Sequence, residues 1–239
     1  MLQLYIGNKN YSSWSLRPWL AMRELGIAFE EMKVRFDSFA PDSHFKQTML
    51  ALGPTGKVPM LVDEGLVVWD SLSIAEYLHE RFPHAGIWPQ PMADRARARS
   101  LCAEMHSGFG ALRQHCPMNV EADFPDLGEK LWAENADVRD DVYRLFDMWG
   151  QQLATFGGPM LFGKFCMADA FFAPVCLRLS TYHLPVPQHI QPYVDRVLAL
   201  PGMQAWKAAA LEEKDFREFE EPYRTASGML SAERSQIAR

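Results

Sequence analysis

Cysteine is scarce in this chain, and what there is stands apart. Cys102, Cys116, Cys166 and Cys176 form no Cys-x-x-Cys pair, which argues against a disulfide frame or a zinc site and for thiols kept in a reducing compartment. The seven histidines show no His-x-x-x-His spacing, so no metal is expected. There is no basic stripe either. The formal charge is −6 with acidic and basic residues interleaved, which is not the footprint of a protein that tracks phosphates. No apolar run approaches the ~20 residues that span a bilayer. The opening "MLQLYIGNKN" lacks the basic leader and apolar stretch of a secretory signal. The expectation is a soluble, cytoplasmic chain without nucleic-acid or membrane partners. Repeats and low-complexity tracts are absent too. What is present is a hydrophobic content of 48%, enough to build one large domain or two modest ones.

The chain divides by periodicity. "LQLYI" (2–6) has a strand's length and alternation, whereas Trp19, Leu20, Arg23 and Glu24 show helical spacing that stops at Gly26. Proline suits only a first helical turn, so Pro18 predicts a helix start between Trp14 and Leu16 with Ser13 or Ser15 as cap. "AFEEMKVRF" (28–36) reads as a second strand, and "SHFKQTMLALG" (43–53) as a short helix or irregular segment. Met60–Val62 and Leu66–Trp69 are two strands joined at Asp63-Glu64-Gly65, a hairpin signal. A helix follows from Asp70, with Ser73 and Glu76 at capping-box spacing. This order predicts a small mixed sheet flanked by helices over residues 1–83. "HAGIWPQPM" (84–92) reads as a linker. Residues 93–221 are helical throughout: "ADRARARSLCAEMHSGFGALR" starts one helix, and four more follow, the last being "GMQAWKAAALEEKDF". Residues 222–239 read as a frayed tail.

With "YSSWS" at the head of the first helix, "GKVPML" before the third strand and "WDSLSIAEYL" at the start of the third helix, the chain resembles the cytosolic glutathione S-transferase superfamily over nearly its whole length. Its serine-type classes, zeta and theta, are the most similar. The resemblance implies an α+β thioredoxin-like domain (β-α-β-α-β-β-α) followed by an all-α helical bundle, a homodimer, and glutathione as co-substrate. By motif position it assigns Ser12 as donor to the glutathione sulfur, with Tyr11 and Ser13 as rivals. The magnitudes allow this. A thiol titrates near ~8.5, so ionising it at neutral pH needs a depression of roughly 2 pH units, or ~2.7 kcal/mol. A hydrogen bond to a charged acceptor contributes roughly 1.5–3 kcal/mol and a helix N-terminus a further ~0.3–1.

The resemblance places further residues. Pro59 is implied to be cis, presenting the Val58 backbone to the cysteinyl unit, with Lys57 near the glycyl carboxylate. Ser71 would take the γ-glutamyl carboxylate and Asp70 its ammonium. Tyr11, Trp14, His106, Phe109 and Arg113 would line the acceptor pocket, the last three from one helical face at i, i+3 and i+7. Trp14 stands where zeta members carry cysteine. Asp169, three residues after Cys166, would cap its helix, and Arg178 could pair with an acidic substrate. Each of these residues also has a plain structural role: serines and aspartates cap helices, and Phe109 suits a core. Three functions stay open. The first is a transferase joining glutathione to a small hydrophobic electrophile. The second is a zeta-like cis–trans isomerase of the maleylacetoacetate type. The third is a non-catalytic binding or regulatory protein.

Overall fold

Burial with a period of two lays down the sheet. In β1 (Gln3–Ile6), Leu4 and Ile6 are fully buried while Gln3 and Tyr5 are partly exposed, so the strand's two faces meet different surroundings. Residues 1–225 are described here, from a computed structural model. After α1 (Ser13–Glu24) the chain returns as β2 (Glu30–Lys33), parallel to β1. After α2 (His44–Leu52) come β3 (Met60–Asp63) and β4 (Leu66–Trp69), an antiparallel pair that joins the other edge of β1 in the order β2-β1-β3-β4. The hairpin turn has positive φ at both central residues, 49° at Glu64 and 90° at Gly65, the form that matches strand twist. Leu4, Ile6 and Leu61 share a core with α1 and with α3 (Ser71–Arg81), whereas Met60, Val34 and Phe36 pack under α2 with Phe45 and Met49. This is the expected thioredoxin-like domain.

Several helix starts differ from expectation. α1 begins at Ser13 with Ser12 in the N-cap place, and neither Ser13 nor Ser15 caps it. Pro18 therefore lies in the second turn and withholds the N–H that the Trp14 carbonyl would otherwise receive. α2 is a regular helix because Asp37 accepts from the N–H groups of His44 and Phe45, both at 2.9 Å. In α3 Asp70 is the cap, accepting from the Leu72 N–H at 2.8 Å. The Ser73–Glu76 box is not used, and Glu76 instead pairs with Arg99 at 2.8 Å.

The second half is helical: α4 (Met92–Ser107), α5 (Gly110–His115), α6 (Pro125–Glu134), α7 (Ala136–Phe156), α8 (Met167–Thr181), α9 (Gln191–Ala199) and α10 (Pro201–Glu213). α8 is buried on nearly every side, which its apolar, Ala-rich sequence permits, and α1 packs along it. The carboxylate of Asp169 accepts from the Cys166 and Leu161 N–H groups at 2.9 and 3.2 Å. The segment 84–92 is docked, since Ile87 and Trp88 are buried and the Ile87 carbonyl accepts from the Met167 N–H at 2.8 Å.

Two expectations about this half are corrected. The helix beginning at residue 93 stops at Ser107, and Phe109 adopts φ 61° before α5 starts anew. His106, Phe109 and Arg113 therefore do not share one helical face. α10 ends at Glu213, with Lys214 at φ 43°, and the chain then runs back over the small domain. Tyr223, placed in the frayed tail, is buried and donates to the His115 carbonyl at 2.9 Å. Arg224 pairs with Glu121 and Glu221, both at 2.6 Å. Residues 226–239 lie outside the described residues.

Candidate functional site

Two cavities adjoin where β1 gives way to α1, and Trp14, Lys57 and Val58 line both. The polar cavity, about 410 Å³, is lined on its far side by Pro59, Trp69, Asp70, Ser71 and His106. The aromatic cavity, about 470 Å³, runs past Tyr11, Ser12 and Ser13 to Phe36, Phe39 and Phe45.

In the polar cavity the Val58-Pro59 peptide is cis. Asp70 sits at φ 73°, ψ 135°, a conformation that costs a non-glycine residue about 1–3 kcal/mol and is held only where the surroundings impose it. One carboxylate oxygen caps α3, and the other lies 3.2 Å from His106 Nε2. Burial lowers the His106 pKa against the pull of Asp70, and the charges of Arg17 and Arg113 add to the lowering. The ring is thereby biased toward its neutral form, which weakens its attraction to the carboxylate 3.2 Å away. Beside Asp70, the Ser71 hydroxyl is buried at the α3 N-terminus without a partner among the described residues. A buried, unsatisfied hydroxyl costs about 1–3 kcal/mol.

In the aromatic cavity Ser12 is buried, and its hydroxyl donates to Ser15 Oγ at 2.7 Å, which in turn accepts from the Gly7 N–H at 3.2 Å. Both donors converge on Ser15 Oγ, whose own proton is free to turn toward Ser12, so a rotation of the two hydroxyls makes a short relay that begins at a backbone amide. Gly7 is required here, because a Cβ would fall 2.1 Å from the Phe36 ring. Tyr11, the rival donor, is differently placed. Its phenol donates to Glu221 at 2.8 Å and accepts from the Arg217 N–H at 3.1 Å, and burial together with Glu221 pushes its pKa well up. Tyr11 thus anchors the returning segment.

Two guanidinium groups stack on Trp14, and a third, Arg178, lies close enough for its charge to act on Arg17. Arg17 lies 4.1 Å from its ring and 4.7 Å from that of Phe171, fully buried, with no hydrogen-bond partner for any nitrogen among the described residues. Burial, then the charges of Arg113 and Arg178, lower its pKa well below the usual value. Arg113 lies 4.8 Å from Trp14 and donates to the Gly108 carbonyl at 2.9 Å. Arg178 donates through Nε to the Cys116 carbonyl at 2.7 Å, and burial, followed by Arg113, takes its pKa down to about 10. Arg113 and Arg178 also line the aromatic cavity. The α1 N-terminus therefore carries its dipole and a desolvated positive charge together.

The structure brings most of the sequence-derived residues to this junction. Ser12, Tyr11, Trp14, Lys57, Val58 and Arg113 meet at the aromatic cavity, and Pro59, Asp70, Ser71 and His106 at the polar one. Phe109 lines neither and belongs to the core. Sequence reasoning missed the Ser15 relay, the buried Arg17 and the acidic segment 217–221. Among the described residues no group of His, Cys, Asp and Glu could hold a metal, and no helix is long and apolar enough to cross a membrane.

Comparisons with known proteins agree with this geometry. Residues 11–81 match the family model of the glutathione S-transferase N-terminal domain and residues 94–209 that of its C-terminal domain. A stringent starvation protein A homolog of Haemophilus influenzae is 35% identical over 184 residues, 74% of this chain and 77% of its own length. A maleylacetoacetate isomerase of Pseudomonas aeruginosa is 34% identical over 120 residues, 50% of this chain and 55% of its own. Among solved structures, a glutathione transferase homolog from Burkholderia with bound glutathione superposes with a TM-score of 0.63 at 27% identity, covering 88% of this chain and 98% of that one. By domain content, sequence and shape, the chain belongs to the glutathione S-transferase superfamily.

Proposed function

We propose that this protein is a serine-type glutathione transferase. It would bind glutathione across the polar cavity and use Ser12 to hold the sulfur as thiolate for attack on a small hydrophobic electrophile in the aromatic cavity. The observation that carries this reading is the Gly7–Ser15–Ser12 relay at the point where the two cavities join. Hydroxyl protons rotate to suit their partners. When an anion arrives, the Ser12 proton turns to the sulfur and Ser15 donates to the Ser12 oxygen, so the Ser12–Ser15 bond reverses without being lost while the Gly7 N–H still donates to Ser15. Each link polarises the next, and the α1 N-terminus favours the same negative charge.

The polar cavity fits the rest of the tripeptide. The unsatisfied Ser71 hydroxyl and the α3 N-terminus suit a carboxylate. Asp70 suits an ammonium, and the backbone of Val58 suits an added strand. Lys57, exposed at the mouth, suits the second carboxylate. The two other functions are less well supported. An isomerase of the zeta kind would place a thiol where Trp14 stands. A purely regulatory protein has no use for a desolvated hydroxyl relay beneath an open cavity.

Calorimetry with glutathione and a Ser12→Ala variant test the proposal. The wild type should bind glutathione. In the variant, turnover of a standard electrophile should fall about 10- to 100-fold, the equivalent of the roughly 1.5–3 kcal/mol of one charge-assisted bond, while the dissociation constant changes by less than about threefold. Equal turnover would remove Ser12 from the mechanism, and absence of binding would favour the regulatory reading.

A further inference from the structure

The returning segment contributes one acidic side chain with no structural task. Glu213 pairs with Lys33 at 2.8 Å, Asp215 with Arg35 at 2.7 Å, and Glu221 accepts from Tyr11 at 2.8 Å and Asn119 at 2.9 Å. The Glu220 side chain has neither ion pair nor hydrogen bond among the described residues, and Glu220 lines the aromatic cavity together with Ser12 and Ser13. It is held there from both sides. The neighbouring Phe219 ring packs edge-on against Phe39 at 5.1 Å, and Glu221 is fixed by the Tyr11 phenol.

We propose that Glu220 is the proton donor of the aromatic cavity, and that the acceptors it serves are α,β-unsaturated carbonyl compounds rather than haloarenes. The inference rests on the transferase reading above and extends it to a substrate class. The chemistry separates the two acceptors. When a thiolate adds to an enone, a sulfur lone pair forms the C–S bond at the β-carbon and the C=C π pair moves toward the carbonyl as an enolate. The Glu220 O–H bond breaks and its proton passes to that enolate. The carboxylate is then reprotonated by water, which earlier received the proton that glutathione lost on ionising. A haloarene instead expels halide with its electron pair and needs no proton.

The surroundings suit such a donor. Burial, then the adjacent Glu221 charge, raise the Glu220 carboxyl to about 7, so a proton is available near neutrality, where general acids work best. The other ionisable groups lining the cavity are Tyr11, Lys46, Lys57, Arg113 and Arg178. Tyr11 donates a hydrogen bond to Glu221, Lys46 donates to the Thr55 and Gly56 carbonyls, and Arg113 and Arg178 donate to the carbonyls of Gly108 and Cys116.

The test measures kcat/KM for a simple aryl enone and for 1-chloro-2,4-dinitrobenzene from pH 5.5 to 8.5, in wild type and in Glu220→Gln. Taking the enone-to-haloarene ratio cancels the shared thiolate ionisation. In the wild type this ratio should fall as pH rises through about 7, as the donor loses its proton. In Glu220→Gln the enone rate should drop on the order of 100-fold, the haloarene rate by no more than about threefold, and the ratio should lose its pH dependence. Infrared difference spectra of the unliganded proteins should show a carboxyl titrating near 7 that the variant lacks. Equal losses with both acceptors, no loss with either, or a carboxyl that titrates below 5 would overturn the assignment. A wild type that turns over only the haloarene removes this inference alone, whereas one that neither binds glutathione nor turns over either acceptor removes the transferase reading as well.

Discussion

The polar and aromatic cavities meet at Trp14 but are built on different plans. The polar one comes from two short stretches, 57–59 and 69–71, closed by His106. The aromatic one shares Lys57 and Val58 with it and gathers further side chains from the α1 head, the loop before α2, α2 itself, α5 and the loop after it, α8 and the segment after α10. The first relies on backbone and helix-end groups; the second relies on side chains drawn from separate parts of the chain. On the proposed reading, the first half holds glutathione and the second meets the electrophile.

The substitution expected to separate the halves most is Ser71→Ala. It removes a hydroxyl that is buried and unsatisfied, so the free protein should melt no lower than wild type. Glutathione affinity should nevertheless fall about 10- to 100-fold, because a charge-assisted bond of roughly 1.5–3 kcal/mol is lost. Thermal melts and calorimetry on the same sample check both, and a parallel loss of stability would mean that the hydroxyl serves the fold. Tyr11→Phe addresses the other half. It cuts both bonds to the returning segment, and the KM for the electrophile should rise roughly five- to tenfold while glutathione affinity stays within twofold. A loss of turnover as large as in Ser12→Ala would mark Tyr11 as the thiolate donor instead.

The smallest effect is on stability. Because the folded state holds the Glu220 proton up to about pH 7, above the usual carboxyl range, it binds more protons than the unfolded chain between roughly pH 4.5 and 7. Stability should therefore decline across that window and level off above it, by about 1 kcal/mol after solvent screening. Asp169, raised to about 6 by burial, adds a decline of the same sign. Subtracting the Glu220→Gln melting curve from that of wild type isolates the Glu220 part.

The same contrast governs what the sequence reveals. Asp63-Glu64-Gly65 encodes its hairpin locally, and "GKVPML" and "WDSLS" carry their part of the site in consecutive residues. Sheet and polar cavity were accordingly legible. The break after Ser107 was not, because His106, Phe109 and Arg113 keep helical spacing in the text and only the glycines at 108 and 110 hint at the turn. Nor was the role of Ser15, which depends on Gly7 lying beside it across the strand end. Asp70 was readable both as cap and as ligand group, and it serves as cap while keeping one oxygen toward the cavity. "DFREFEEPYR" looks like a fraying helix end, since its partners Tyr11, Arg35 and Asn119 lie more than a hundred residues upstream.

The returning segment has a consequence for how such a protein changes over time. Its wall of the aromatic cavity is a single short 3-10 turn (Glu218–Glu220), pinned at Tyr11 and Asn119. Exchanging Phe219 and Glu220 would remodel the aromatic cavity while leaving untouched every group proposed to hold the nucleophile. Change in this turn edits a sentence's last words without rewriting its grammar.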